Sequence, residues 1–301
     1  MQIGIIGLGR MGLGIANKLK SGGHKVIGWN RTEFKIENSE FRIAKTIGDL
    51  VQNLNKPRVI WLMVPQGKST DEVLSEVSKY VQKDDIIIDG GNAYYKDTEE
   101  RFKSFRKKGF KFLGIGVSGG IHGEKNGFSL MAGGDKSAFD RVQPLLKTLS
   151  EPKGSFGYFG EGGAGHFVKM VHNGIEYGMM QSIGEGFEVL KKSSYKFNLL
   201  EIAKVWQKGT IISSFLIDRA KDALEKDPEL SAVSGSIPRG GEGDWTVEAA
   251  NEEGVQVHAI KEAVEHRMKS ETDKKIQNSF TAKMINALRG AFGGHEVRKK
   301  V

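Results

Sequence analysis

Short β-rich runs alternate with helical stretches over the first 150 residues, and the turn after the first run is Gly7-Leu8-Gly9-Arg10-Met11-Gly12. Segments 2–7, 25–29, 58–64, 85–89 and 110–117 carry the β-branched and apolar pattern of strands, with 129–132 as one more. Segments 11–20, 69–81, 97–108 and 137–149 carry helical periodicity. This alternation implies a mostly parallel sheet with helices on both faces. Beyond about residue 160 the pattern becomes helical: 164–191, 199–209, 213–226, 246–253, 257–269 and 273–289. Asp227-Pro228 and Pro238-Arg239-Gly240-Gly241 interrupt it. Glycines crowd at 155–165, so we expect an α/β domain over residues 1–160 and an all-α domain over 161–301.

The glycine turn follows a strand and opens a helix at the chain start, the context in which such a turn binds a dinucleotide. Gly7 allows the tight turn, Gly9 lets backbone approach a pyrophosphate, and Gly12 lets helix and strand pack closely. Leu8, Arg10 and Met11 complete the turn, and the helix N-terminus offers N–H groups and positive dipole to phosphate. The first domain is therefore expected to be a Rossmann-type doubly wound parallel sheet. The second strand ends Trp29-Asn30-Arg31-Thr32. An NAD site usually has an acid here for the ribose 2′-hydroxyl. Asn30 and Arg31 favour a 2′-phosphate, hence NADP, while Glu33 next door keeps NAD open. Met63 and Val64 end a later strand and line the adenosine side.

A second pattern lies at the start of the all-helical half. If 166–178 is helical, Lys169, His172, Asn173, Glu176 and Tyr177 fall at i, i+3, i+4, i+7 and i+8, on one face. Folding alone would not favour that stripe, because buried polar groups are costly unless paired. The glycine-rich entry 160–165 and the apolar flanks Phe167, Val168, Met170 and Val171 suit a buried helix rather than a solvated one.

Composition narrows the chemistry. With no cysteine among 301 residues, disulfides and thiol catalysis are excluded. No segment reaches about 18 continuous apolar residues, so a cytoplasmic protein without a membrane span is expected. The net charge of +8 comes from lysines spread along the chain, apart from the tail Arg298-Lys299-Lys300. Without aromatic–basic interleaving or a nucleic-acid module, small anionic ligands are expected rather than nucleic acid.

At these residues the chain resembles the 6-phosphogluconate dehydrogenase family, in its short form, within the β-hydroxyacid dehydrogenases. The resemblance rests on the glycine turn, Ile88-Asp89-Gly90-Gly91-Asn92, Val117-Ser118-Gly119-Gly120, the Lys169–Tyr177 stretch and Arg289-Gly290-Ala291-Phe292-Gly293-Gly294-His295. It implies oxidative decarboxylation of a sugar-acid phosphate with NADP or NAD and no metal. Lys169 would be the base and Glu176 the acid. An uncharged lysine is needed for the first role, which burial or nearby cations favour. Asn92, Ser118, Gly119, Gly120, His172 and Asn173 would hold the carboxylate and hydroxyls. Tyr177, Thr246, Arg267, Arg289 and His295 would hold the phosphate, whose charge and shape arginine matches. The family draws the matches of Arg289 and His295 from a second subunit, implying a homodimer or homotetramer with shared sites. The family's basic residue before Trp245-Thr246 is Asp244 here, which places a negative charge near the expected phosphate. The alternative is another β-hydroxyacid dehydrogenase acting on a non-phosphorylated 3-hydroxyacid.

Overall fold

The computed structural model describes residues 1–32 and 41–294, so the candidate positions Glu33 and His295 and the basic tail lie outside the described residues. The chain divides into two compact units, Met1–Met170 and Val171–Val301.

In the first unit the elements run β1 (Gln2–Ile6), α1 (Arg10–Ser21), β2 (Lys25–Trp29), β3 (Arg42–Ile43), α2 (Ile47–Gln52), β4 (Val59–Leu62) and α3 (Lys68–Val77). They continue as β5 (Ile86–Asp89), α4 (Tyr95–Lys107), β6 (Lys111–Ser118), α5 (Gly123–Asn126), β7 (Ser129–Gly134), α6 (Lys136–Ser150) and β8 (Phe156–Tyr158). The strands form one sheet in the order β3-β2-β1-β4-β5-β6-β7-β8. All neighbours are parallel except β6 and β7. The order reverses beside β1, between β1 and β4, and that switch point is where open α/β sheets take ligands.

β4 and β5 are apolar almost throughout because both sheet faces are covered. Period-two alternation divides the burial between faces. Ile3, Ile5, Trp61 and Ile88 pack on one side with Ile15 and Leu19 of α1. Ile6, Ile60, Leu62 and Ile87 pack on the other with Leu50, Val73 and Phe102.

α7 (Ala164–Lys192) starts in the first unit and ends in the second. The second unit continues with α8 (Leu199–Trp206), α9 (Phe215–Lys226), α10 (Glu242–Glu252), α11 (His258–Ser270), α12 (Lys274–Gln277) and α13 (Phe280–Gly293). Its core gathers Met180, Phe187, Ala220, Leu224, Met284, Ile285 and Leu288. No helix among the described residues is long and apolar enough to cross a membrane.

Five elements differ from expectation. The stretch read as one helix over 273–289 is two, because the Ser279 side chain caps a new helix by accepting from the Ala282 amide. α10 begins at Glu242, four residues before the expected start, since Gly241 takes a left-handed conformation that turns the chain into it. The short strands β3 and β8 and the helix α2 carry too few residues for a periodic signal.

A buried ion pair shapes the end of β5. Asp89 is fully buried and Arg101 is 8% exposed; Arg101 Nη1 donates to Asp89 Oδ2 at 3.3 Å. Asp89 Oδ1 accepts from the Gly91 amide at 3.1 Å, fixing the turn that leads to Asn92. Arg101 also donates through Nε to Asp71 at 2.9 Å. Removing the guanidinium leaves a buried carboxylate without its counter-charge. We expect Arg101→Ala to lower the unfolding free energy by about 3–5 kcal/mol in urea titrations; a loss below about 1 kcal/mol would show that Asp89 is compensated elsewhere.

Candidate active site

The glycine turn sits at the carboxyl end of β1, beside the switch point. Gly7 has φ 94°, and its amide donates to the Trp29 carbonyl at 2.9 Å. A Cβ on Gly12 would overlap the Gly7 carbonyl oxygen, whereas one on Gly9 would meet nothing within 4 Å. Gly12 is thus required by packing, while Gly9 borders open space. The first turn of α1, with Arg10 and Met11, has no acidic residue and no side-chain cap, which leaves its dipole to an anion from outside. Met63 follows β4 and donates its amide to the Ile6 carbonyl at 2.7 Å, so Met63 and Val64 border the same edge.

Asn30 has a role that spacing did not show. Its Oδ1 accepts from the Leu8 amide at 3.0 Å and its Nδ2 donates to the Thr32 carbonyl at 3.1 Å, tying the end of β2 to the glycine turn. Arg31 stands next to this tie and donates through Nη2 to Glu72 of α3 at 3.1 Å.

Lys169 is set by backbone contact. Gly114 and Gly116 alternate along β6 and leave a gap in the side chains of one face, between Phe112 and Ser118. A Cβ on Gly116 would overlap Lys169 Cβ, and one on Gly165 would crowd the carbonyl oxygens of Gly114 and Met131. The first turns of α7 therefore lie against β6 and β7 at backbone distance, which is why they group with the sheet. Lys169 is 8% exposed and is the only buried lysine among the described residues. Ser118 lies two residues beyond Gly116, on the same face of β6, before Gly119 and Gly120, both at positive φ. One turn before Lys169, His166 is fully buried and its Nδ1 lies 2.7 Å from Thr98 Oγ1. Burial pushes the His166 imidazole below its ordinary pKa, so it stays neutral near pH 7. Gly114 and Gly116 are not among the residues that the sequence singled out, although the Gly-Ile-Gly alternation in β6 marks a groove for a helix.

In the second unit, α7 carries His172, Asn173, Glu176 and Tyr177. His172 Nδ1 lies 3.0 Å from Asn173 Oδ1 and 4.0 Å from Glu176 Oε2. The Arg267 guanidinium stacks on the Tyr177 ring, 3.3 Å from its centroid. Tyr177 donates to Glu242 Oε2 at 3.3 Å, an acceptor the sequence did not single out. Thr246 is buried and donates to the Glu242 carbonyl at 2.8 Å. Gly174 and Gly243 make this approach possible, since a Cβ on either would crowd Thr246 or Tyr177 respectively.

Burial pushes Tyr177 above its ordinary pKa and pulls Arg267 down to about 10, still charged at neutral pH. It lowers Arg289 too, and the two arginines oppose each other's charge. Arg289 Nη1 is buried with no hydrogen-bond partner among the described residues. The negative groups Tyr177, Glu242 and Glu176 of the same chain favour the charged form of Arg289 against that burial. Two desolvated guanidiniums, only partly matched by carboxylates, make a ready site for an anion. Asp244 is compensated locally: Arg239 Nη2 donates to its Oδ1 at 2.7 Å.

Comparison with known proteins agrees along the chain. Residues 2–160 match the NAD binding domain of 6-phosphogluconate dehydrogenase, and residues 165–287 match the C-terminal domain of the same enzyme. The NAD(+)-dependent, decarboxylating 6-phosphogluconate dehydrogenase of Haloferax volcanii is 36% identical over 100% of this chain and 99% of its own. The NADP(+)-dependent, decarboxylating enzyme of Bacillus subtilis is 40% identical over 87% of this chain and 60% of its own. The Plasmodium falciparum 6-phosphogluconate dehydrogenase, solved with NADP+ and with 6-phosphogluconate, superposes with a TM-score of 0.80. It is 34% identical and covers 96% of this chain and 70% of its own.

The contact at Gly116 has a direct consequence. Gly116→Ala is expected to cost about 1–3 kcal/mol of stability, as overpacking does, and to push the α7 backbone away at Lys169. An unchanged melting temperature would mean that the contact is slack.

Proposed function

Since the chain belongs to the 6-phosphogluconate dehydrogenase family of NAD(P)-dependent oxidoreductases acting on CH–OH groups, we propose that it converts 6-phospho-D-gluconate to D-ribulose 5-phosphate and carbon dioxide, with NADP or NAD as acceptor. The observation that carries this proposal is the Tyr177–Arg267 stack with Arg289, beside Glu176 on the helix that also bears Lys169. Oxidation of a simple 3-hydroxyacid needs neither a second acid nor a phosphate clamp.

The glycine turn, the uncapped start of α1 and the Asn30 tie fit a dinucleotide. A nicotinamide held there would supply the acceptor for the hydride that leaves C3. Lys169, uncharged, takes the C3 hydroxyl proton as the hydride leaves. In the resulting 3-keto acid the bond to the carboxylate breaks and its electron pair moves toward the carbonyl. Carbon dioxide departs and Lys169 returns its proton to the enolate oxygen. Glu176 then protonates the adjacent carbon of the enediol while Lys169 takes back the proton of the C3 hydroxyl, giving the ketose. Lys169 and Glu176 are seven residues apart on α7, roughly 10 Å along the axis at about 1.5 Å per residue. Asn92, Ser118, Gly119, Gly120, His172 and Asn173 are proposed to hold the carboxylate and hydroxyls. Tyr177, Thr246, Arg267 and Arg289 are proposed to hold the phosphate, with His295 as a further ligand. We also propose a homo-oligomer, dimer or tetramer, supported by the exposed apolar positions Ile175, Met179 and Val189 on α7.

Carbon dioxide release coupled to nicotinamide reduction with 6-phosphogluconate tests the proposal; turnover of 3-hydroxyisobutyrate without carbon dioxide would favour the alternative. Lys169→Ala should lower turnover by about 10²–10⁴-fold while the dinucleotide still binds, and near-normal turnover would remove the lysine from the mechanism. Arg31→Ala should lower the NADP-to-NAD efficiency ratio. If that ratio does not move, Arg31 does not read the 2′-phosphate.

A further inference from the structure

We propose that Glu72 is a specificity-determining residue that biases the dinucleotide pocket toward the unphosphorylated ribose by neutralising Arg31. This deepens the cofactor assignment above and rests on it.

Arg31 is the cation that follows β2, held next to the glycine turn by the Asn30–Leu8 bond. Its guanidinium is not left to a ligand. Nη2 is engaged by Glu72 Oε2 at 3.1 Å, from a helix 41 positions further along the chain. The other oxygen of Glu72 faces Lys68 Nζ at 3.9 Å, so one carboxylate opposes both local cations. The carboxylate is anchored at the pocket edge, because α3 follows Met63 and Val64 through the turn at Gly67, and Thr70 Oγ1 donates to the Pro65 carbonyl at 2.9 Å.

Arg31 and Glu72 are 63% and 47% exposed. A pair this open adds little to stability. Its effect on a ligand is another matter. A 2′-phosphate brings nearly two negative charges to the guanidinium that Glu72 already occupies. It must either displace the carboxylate or bind beside it. A 2′-hydroxyl carries no charge and incurs neither cost. Arg31 attracts the phosphate and Glu72 opposes it, so the cofactor preference depends on both residues.

The test compares Glu72→Gln with the unaltered protein, titrating NADPH and NADH binding by fluorescence and measuring kcat/KM with each oxidised cofactor. The NADP-to-NAD ratio should rise about fivefold, the size expected from removing one exposed charge near a dianion. The change should shrink in high salt. In an Arg31→Ala background it should largely vanish, because the two substitutions act through one interaction. Glu76→Gln, one turn along α3 and paired with Lys79 and Tyr80, should leave the ratio unchanged. A Glu72→Gln ratio equal to that of the unaltered protein, or an effect that persists without Arg31, overturns the inference while the cofactor assignment stands. If the unaltered protein binds neither nicotinamide dinucleotide, the assignment falls and the inference with it.

Discussion

The structure depends on how closely a helix can lie on a strand. The start of α7 rests on β6 and β7 because Gly114, Gly116, Gly133 and Gly165 place no side chain between the backbones. Interiors are packed densely enough that one methyl group at such a contact must move something. The same contact buries the stem of Lys169 and sets its position. Displacements of about 1 Å at a reacting group can cost a hundredfold in rate, so these glycines bear on chemistry that they do not touch.

Buried charge is handled differently in the two units. In the first, Asp89 has Arg101, and Asp85 is held by the Arg58 amide at 2.7 Å and its guanidinium at 2.8 Å. Those carboxylates are matched and serve the fold. In the second, Arg267 and Arg289 oppose each other, one stacked on Tyr177 and the other with an unpartnered nitrogen. Imbalance of that kind is costly in an empty protein and is relieved by an anion. Glu242 at the Tyr177 hydroxyl partly offsets the charge.

Much of this was legible in the chain. The glycine turn, the long strands and α7 have strong periodic or spacing signals, and local sequence decides them. β3, with two residues, and β8, with three, are held by their neighbours in the sheet and carry no pattern of their own. α10 starts through Gly241-Glu242-Gly243, a poor helical sequence on propensity. Tertiary contact overrides propensity there, since Gly243 is what lets the helix approach Tyr177. Partnerships across long separations were the least legible. Glu72 with Arg31 and Thr98 with His166 join residues far apart in the chain, and only the fold shows who answers whom.

A ternary crystal structure with 6-phosphogluconate and a nicotinamide cofactor tests the central claim most directly. The Lys169 amine should lie within about 3.2 Å of the C3 hydroxyl, with the phosphate against Arg267 and Arg289. A sugar bound with that amine turned away, or with its phosphate remote from Tyr177, would contradict it.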